Sequence, residues 1–311
     1  MKKINHLDIF KQAFEFSWKK KALWFFGFFI MFGLSGSLMF FNQDGDLRFD
    51  VEKISDFFSI NNEAVIFLVS LLFAVIFMLF RIVGQASIIK YFAKNKTEKI
   101  IFSKTLKDGN QYVGKLFVLE IIFLSTMLFL SVVLFLPVVF LAAVKAEAAA
   151  VLVGILAMGI FLPILILFSF VKRFAYIYMV ATGSSIKRSI ENSYIVFKNN
   201  ILESLIFAVA IFSAGIIAIL SVLAVLILIA IPLFILGTIL YLFSTAVGIF
   251  VVTFLGSIIL AIVFVLIESL FYVFREISWI IFLGEIAGIK VEDQKKEELV
   301  VKKEMVAPKT A

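Results

Sequence analysis

The residue types that most often carry out catalysis are nearly absent from this sequence. Its 311 residues include one histidine, His6, and no cysteine. A thiol nucleophile and a thiolate metal site are therefore excluded. No second histidine is available for a metal cluster, and none lies in the apolar part of the chain to serve a serine nucleophile. We expect no enzyme activity, no cofactor and no metal ion.

An acidic segment near residue 50 is the one place where a cation could bind. Asp44, Asp46 and Asp50 supply carboxylates, the ligands that divalent calcium and magnesium prefer. Their spacing lacks the twelve-residue pattern of a calcium-binding loop, and short acidic clusters without fixed ligand spacing are common. We interpret the segment as a solvated loop and not as a metal site.

Six other charges stand out because they lie at or just inside the ends of long apolar runs. They are Arg81, Glu120, Arg173, Glu203, Glu268 and Arg275. Glu268 and Arg275 share one face of a helix, two turns apart. The six charges could line a polar vestibule for an ion, a proton or a lipid headgroup. We favour the alternative, in which they pair across helices or extend to the interface, because a charge near the end of a span costs little.

The elements that position these charges are apolar helices. The chain is 63% hydrophobic and 16% charged, with a mean hydropathy of +1.11. Its apolar blocks lack the period-two alternation of barrel strands. Since about 20 apolar residues cross a bilayer, the sequence predicts an all-α polytopic membrane bundle with six transmembrane helices in three hairpins. The predicted spans are about 22–41, 64–80, 116–144, 148–171, 201–231 and 246–274. Seven spans remain the alternative, because the region between Glu203 and Glu268 could hold three helices.

The lysines and arginines predict the orientation. Of the 29 basic residues, 26 lie in the leader, in segments 81–115 and 172–198, and from residue 275 onward. Basic residues concentrate on the cytoplasmic side of membrane proteins, so these segments and both termini are predicted to be cytoplasmic. The same rule explains the positive charge without nucleic acid, and the basic face should attract anionic lipid headgroups.

The leader is predicted to be a retained amphipathic helix. Its 21 residues precede a long aromatic run, whereas a cleavable signal has a short basic region and an apolar core of about 7 to 15 residues. One face of the leader is apolar and the opposite face is charged. The apolar face consists of Leu7, Phe10, Phe14 and Trp18. This pattern predicts a helix lying in the cytoplasmic interface at about 5–19, with Asn5 as a possible cap.

The same pattern of an amphipathic helix before an apolar run recurs twice, at about 102–113 and 185–198. In the alignment, Leu106 and Ile190 take the place of Phe14, Ser193 that of Ser17, and Tyr194 that of Trp18. Both later copies then reach a Leu-Glu pair, at Leu119–Glu120 and Leu202–Glu203. The pattern indicates three units, each a short helix followed by a membrane hairpin, although short amphipathic segments also resemble one another by chance.

The segments "FKQAFEFSWKKKALWFFGFF" and "VGQASIIKYFAKNKTEKIIFSKTLKDGNQYVGKLF" show the layout of a known group. The chain resembles bacterial six-span proteins of the glycerophosphodiester phosphodiesterase membrane-domain type and related domains of unknown function. In enzymes with that domain, the chemistry lies in a separate soluble barrel, which this sequence does not encode. The resemblance implies a fold and no activity.

Residues 1–289 are thus expected to form one membrane domain in the bacterial cytoplasmic membrane, and 290–311 a charged, disordered cytoplasmic tail. The expected function is a non-enzymatic membrane module that engages lipid or organises a protein partner. The alternative is a transporter or channel component for a small or amphiphilic solute. Few polar side chains occur in the first, second and fourth spans, which disfavours a wide aqueous path but not a lipid-like cargo.

Reporter fusions test the predicted orientation. Fusions at Lys96, Lys187 and the C-terminus are expected to report a cytoplasmic location, and a fusion at Asp50 an external one, because of the distribution of basic residues. An external signal at the C-terminus alone would indicate seven spans.

Overall fold

The computed structural model describes residues 5–38, 63–94 and 101–288, and this part of the chain is all helical. The acidic segment containing Asp44 and the predicted tail lie outside it. A short 3-10 turn, Lys21–Leu23, joins the first two helices. The α-helices are α1 His6–Lys19, α2 Trp24–Leu38, α3 Glu63–Lys94, α4 Phe102–Asn110, α5 Val113–Ala143, α6 Glu147–Thr182, α7 Ile186–Asn199 and α8 Ile201–Ala287.

The last helix, α8, folds back on itself. A straight helix rises about 1.5 Å per residue, which would separate Leu233 from Gly256 by about 35 Å. Instead, a Cβ atom placed on Gly256 would lie 3.3 Å from the Leu233 side chain, and one on Gly237 would lie 3.4 Å from Val252. The helix therefore has two antiparallel arms, Ile201–Leu240 and Val252–Ala287. Within the described residues, this region thus contributes two long apolar segments.

Five segments of the described structure are long and apolar enough to cross a membrane. They are Leu68–Lys94, Val113–Ala143, Glu147–Thr182, Ile201–Leu240 and Val252–Ala287. The first predicted span, 22–41, corresponds to a shorter apolar helix, Lys21–Gly33, and runs beyond residue 38 into the part of the chain that is not described. The structure thus has the all-α architecture of a multi-pass membrane protein.

The hydrophobic core lies at one end of these long helices. The densest runs of buried residues are at 84–89 in α3, 174–180 in α6 and 276–280 in the second arm of α8. By contrast, in the most apolar 18-residue stretch of α5, of α6 and of the first arm of α8, only 6% of the residues of each are buried. The helices pack tightly at this end and leave most of their membrane-length surfaces uncovered.

Close packing at this end depends on glycine. A Cβ atom on Gly27 or Gly33 of α2 would overlap the carbonyl oxygen of Ser269 or Phe77, and one on Gly84 would lie 2.6 Å from the carbonyl oxygen of Phe26. The absence of side chains lets α2 approach the backbones of both α3 and α8, as small residues do between membrane helices.

The three short helices bury equivalent residues. In the alignment of the repeats, the two buried positions are four residues apart, and five of their six residues are Ala, Ser or Gly. These pairs are Ala13 and Ser17 in α1, Thr105 and Gly109 in α4, and Ser189 and Ser193 in α7. Small side chains at this spacing let each short helix approach its neighbour closely. Within the described residues, the repeat is therefore visible in packing as well as in sequence.

The long helices on which the short helices pack also follow a regular order. Short helix α4 packs on α3, where a Cβ on Gly109 would lie 2.8 Å from Ser87 Cα. Short helix α7 packs on α6 through Phe197 and Phe170, whose ring centroids are 4.9 Å apart. Each thus contacts the long helix that precedes it. Helix α1 has no long helix before it and instead contacts the last one, through Phe10 and Phe274 at 5.8 Å. The three contacts close a ring.

We therefore divide the bundle into three units: α1 to α3, α4 to α6, and α7 with the two arms of α8. The predicted Leu-Glu correspondence between the second and third units is wrong, because the environments differ. Leu119 and Glu120 are buried, whereas Leu202 is 66% exposed. The first fully buried residues of α8 are Ser204 and Phe207. Helix α7 continues for about two turns beyond Ser193, and this extension shifts which residues of the following helix face the core.

A pair of glycine substitutions tests the packing of the short helices. Gly109→Ala is expected to destabilise the fold by about 1–3 kcal/mol, because the added methyl group meets the backbone of Ser87. Gly159→Ala is the matched control, since apart from its chain neighbours and the backbone of its own helix no described atom lies within 4 Å of its added methyl group. Thermal unfolding of the purified protein in detergent measures both. A Gly109→Ala protein that melts at or above the temperature of Gly159→Ala would contradict the packing.

Candidate functional site

A charged cavity of about 500 Å³ lies where α3, α5, α6 and both arms of α8 meet. Its charged lining residues are Arg81, Lys172, Arg173, Arg275, Glu120 and Glu276. Four cations thus face two carboxylates in one space. We refer to this space as the charged cavity.

Glu120 connects three helices on one side of the charged cavity. Its Oε1 atom accepts hydrogen bonds from Arg81 Nη2 of α3 at 2.7 Å and from Lys172 Nζ of α6 at 2.6 Å. Its Oε2 atom accepts a hydrogen bond from the hydroxyl group of Tyr176, also in α6. Both carboxylate oxygens are therefore occupied, and the buried charge is paired, as burial requires.

Glu276 plays the same role on the other side. Its side chain is 1% exposed, and its Oε1 atom lies 3.0 Å from Arg173 Nη1 of α6. The same oxygen accepts a hydrogen bond from Gln85 Nε2 of α3 at 3.3 Å. The Arg173 guanidinium also lies 5.7 Å from the ring centroid of Trp279, which is within the range of a cation–π interaction. Glu276 thereby joins α8 to α3 and α6.

One arginine comes from each unit. Arg81, Arg173 and Arg275 lie on the second long helix of their units, immediately before or at the start of its most buried part. The residues four positions later, which share the same helix face, also line the charged cavity. They are Gln85, Ile177 and Trp279. The charged cavity is therefore built from corresponding positions of the three units, with arginine at the first position of each and a different side chain four residues later.

Four of the six predicted charges meet in the charged cavity, and two do not. Arg81, Glu120, Arg173 and Arg275 line it, whereas Glu203 and Glu268 are not among its lining residues. Glu268 forms no ion pair within 4 Å in the described part of the chain. Its partner by helical spacing, Arg275, lies about 10 Å further along the helix axis and instead places its guanidinium 4.6 Å from the ring centroid of Tyr272.

Five further polar residues of the charged cavity are not among the predicted charges. Gln85, Ser169 and Tyr176 are uncharged, and Lys172 and Glu276 lie directly beside Arg173 and Arg275. A signal for Glu276 was present, because the apolar sequence continues after it through Leu283. The apolar segment in the structure runs to Ala287, past the predicted end at residue 274, so Glu276 lies within it.

The charged cavity is lined by arginine, lysine, tyrosine and glutamate side chains, and histidine is not among them. Among the described residues, no group of three or more His, Cys, Asp or Glu side chains is placed to hold a metal ion. His6 is not among the residues that line the charged cavity. Its ring centroid lies 5.8 Å from that of Phe207 and 6.3 Å from that of Phe282. Comparisons with protein-family models, curated proteins and solved structures found no match to this chain. With four cations and two carboxylates, the lining of the charged cavity carries a net positive charge.

Neutralising Glu276 tests whether the ion pairs hold the bundle together. Glu276→Gln is expected to destabilise the protein by about 3–5 kcal/mol, because it leaves the Arg173 guanidinium buried without its carboxylate. Glu268→Gln, the same exchange at a carboxylate without an ion pair, should have a much smaller effect. Thermal unfolding in detergent compares the two.

The double variant Arg173→Gln/Glu276→Gln provides the control for pairing. It should recover part of the lost stability, since an absent ion pair costs less than one unpaired buried charge. Equal melting temperatures for Glu276→Gln and Glu268→Gln would contradict the assignment.

Proposed function

We propose that the protein is a non-enzymatic membrane module of the bacterial cytoplasmic membrane that engages lipid. In this proposal, six helices cross the bilayer as three hairpins, both termini are cytoplasmic, and α1, α4 and α7 lie in the cytoplasmic interface. The resemblance to the membrane domain associated with glycerophosphodiester phosphodiesterases is consistent with this arrangement and remains part of the proposal.

One observation carries the proposal: the long helices meet at one end and are uncovered elsewhere. Exposed apolar residues such as Leu128, Leu156 and Leu228 are each at least 65% accessible within the chain. In a bilayer, such surfaces contact acyl chains, which also enter the spaces between helices that do not pack against each other. A bundle of this shape presents far more surface to lipid than a closely packed one.

The short helices support the proposal from the cytoplasmic side. Helix α1 packs through Ile9, Ala13 and Ser17 and leaves Leu7, Phe14 and Trp18 exposed. Tyr194 of α7, which corresponds to Trp18 in the repeat alignment, is exposed as well. Aromatic and apolar side chains on a helix with an opposite charged face are typical of the membrane interface.

The charged face of α1 fits contact with water. Lys19 donates a hydrogen bond to Glu15, and this bond and the lysine charge hold the pKa of Glu15 below its usual range. Glu15 is therefore charged at neutral pH. A charged face and an apolar exposed face on the same helix favour an orientation parallel to the bilayer surface.

The charged cavity favours a second candidate, a transporter or channel component for an amphiphilic solute. Charges lining a space between membrane helices mark many transport pathways. A transporter would move its solute across proteoliposome membranes, whereas a module that only engages lipid would produce no flux.

Site-directed labels test the orientation of α1, and the lack of native cysteine leaves one thiol in each variant. Phe14→Cys and Lys11→Cys would each carry an environment-sensitive fluorophore in the full chain, reconstituted in vesicles. The Phe14 label should be quenched by lipids carrying a nitroxide near the headgroup. The Lys11 label, on the charged face, should be quenched by iodide in the buffer. Equal iodide quenching of both labels, with no quenching by the lipid nitroxide, would contradict interfacial binding.

A further inference from the structure

We propose that the charged cavity binds a phosphate group, and specifically the phosphate of an anionic lipid headgroup in the cytoplasmic leaflet. This inference deepens the proposed function and rests on it, since it names the class of lipid and the place where that lipid binds. Three independent features of the charged cavity support it: its charge balance, its unused hydrogen-bond donors and its apolar wall.

The charge balance calls for an additional anion. Glu120 accepts bonds from Arg81 and Lys172, and Glu276 pairs with Arg173. Arg275 lines the same space with an aromatic ring beside it and no carboxylate within 4 Å among the described residues. Glu268 lies near enough to interact with its charge but does not line the charged cavity. The lining therefore carries two more cations than carboxylates, an excess that a bound anion would offset.

Unused donors point to the same class of ligand. Four guanidinium nitrogens are buried and have no hydrogen-bond acceptor within the described chain: Nε of Arg81, Nε and Nη2 of Arg173, and Nε of Arg275. Buried donors normally have partners, so four of them in three neighbouring arginines are unusual. These four nitrogens have almost no accessible surface, so a phosphate meets them only when the arginine side chains turn toward the charged cavity. Phosphate then offers several strong acceptor oxygens, and arginine binds it with paired hydrogen bonds.

The origin of these arginines strengthens the case for phosphate. One comes from each of the three units, at corresponding positions on the second long helix, and all three line one space. The terminal oxygens of a phosphate can each accept from a different arginine. By contrast, a cation would meet four positive charges here, and a neutral sugar or alcohol would leave the excess charge unbalanced.

An apolar wall favours a lipid over free phosphate. Leu165, Ile166 and Phe170 of α6 and Ala208 of α8 line the charged cavity together with the arginines. Leu165 and Ile166 are partly exposed and belong to segment Glu147–Thr182, which is long and apolar enough to cross the membrane. A lipid matches this combination, since its phosphate would meet the cations while the upper part of its acyl chains would lie along α6.

Lipid binding to the full-length chain in detergent tests the inference. Native mass spectrometry would measure the affinity for phosphatidylglycerol and for phosphatidylcholine with the same acyl chains. Inorganic phosphate would serve as a competitor in a third series. The wild-type protein is expected to prefer phosphatidylglycerol, and phosphate at millimolar concentration should displace it only partly.

The variant for this experiment is Arg275→Gln, because Arg275 forms no ion pair within 4 Å among the described residues that its removal would break. It should bind phosphatidylglycerol at least about tenfold more weakly, which corresponds to the loss of one hydrogen bond to a charged group. Arg188→Gln is the matched control: it makes the same exchange on the exposed surface of α7 and should bind like wild type. If Arg275→Gln does not fold, Lys172→Gln replaces it, because Arg81 still pairs with Glu120 in that variant. A similar loss of affinity for phosphatidylglycerol is expected.

The outcomes are distinct. Equal affinity for the two lipids, or an equal loss in Arg188→Gln and Arg275→Gln, would overturn the inference and assign lipid binding to general surface charge. Complete displacement by inorganic phosphate, with no contribution from acyl chains, would retain the phosphate chemistry but overturn the lipid as its source. The Phe14→Cys and Lys11→Cys labels separate this inference from the proposed function. If they still show interfacial contact, any of these outcomes refutes only the headgroup site and leaves the proposed function standing.

Discussion

The arrangement of the bundle depends on two buried carboxylates. Glu120 holds Arg81 and Lys172, and Glu276 holds Arg173. An isolated charge is expensive to bury, so each carboxylate fixes the positions of the basic groups around it, and those groups lie on other helices. Glu120 thereby ties α5 to α3 and α6, and Glu276 ties α8 to the same two helices. Hydrophobic attraction cannot do this within a bilayer, where lipid tails are as apolar as leucine.

A consequence of this constraint is the uneven packing along the helices. The charges, glycine contacts and short helices all lie at the end that carries the core, so the helices are held there and not along their full length. Each short helix covers the long helix before it, and α1 closes the ring by covering the last one. The result is a closed, tightly packed end from which the apolar helices extend with their sides uncovered within the chain, and the charged cavity lies within this packed end.

Periodicity in the sequence predicted the helices well, because it reports local structure. The short helices were expected at about 5–19, 102–113 and 185–198, and the structure has helices at His6–Lys19, Phe102–Asn110 and Ile186–Asn199. Their location in the membrane interface stays a prediction. The apolar stripe of α1 was recognised, but which face packs was not. Ala13 and Ser17 are unremarkable in sequence, and only their burial shows that small residues form the contact.

The site was harder to predict because it depends on contacts between distant residues. Glu120 and Arg173 could be singled out as charges near apolar runs, but their partners could not be assigned from spacing along one helix. The Glu268–Arg275 pair followed from such spacing and does not form. Glu276 pairs instead with a residue more than one hundred positions away. Gln85 and Tyr176 gave no signal, since a neutral polar residue acquires its role from the charge it meets.

The most direct test of this account is the distance between two short helices when the carboxylates are neutralised. Spin labels at Lys11→Cys on α1 and Lys187→Cys on α7 report the spacing of the first and third units in nanodiscs by pulsed electron resonance. The account predicts a narrow distance distribution in the otherwise native chain and in Glu268→Gln, and a broad one in Glu120→Gln/Glu276→Gln. A distribution that stays narrow after both carboxylates are neutralised would contradict the claim that these ion pairs hold the three units together.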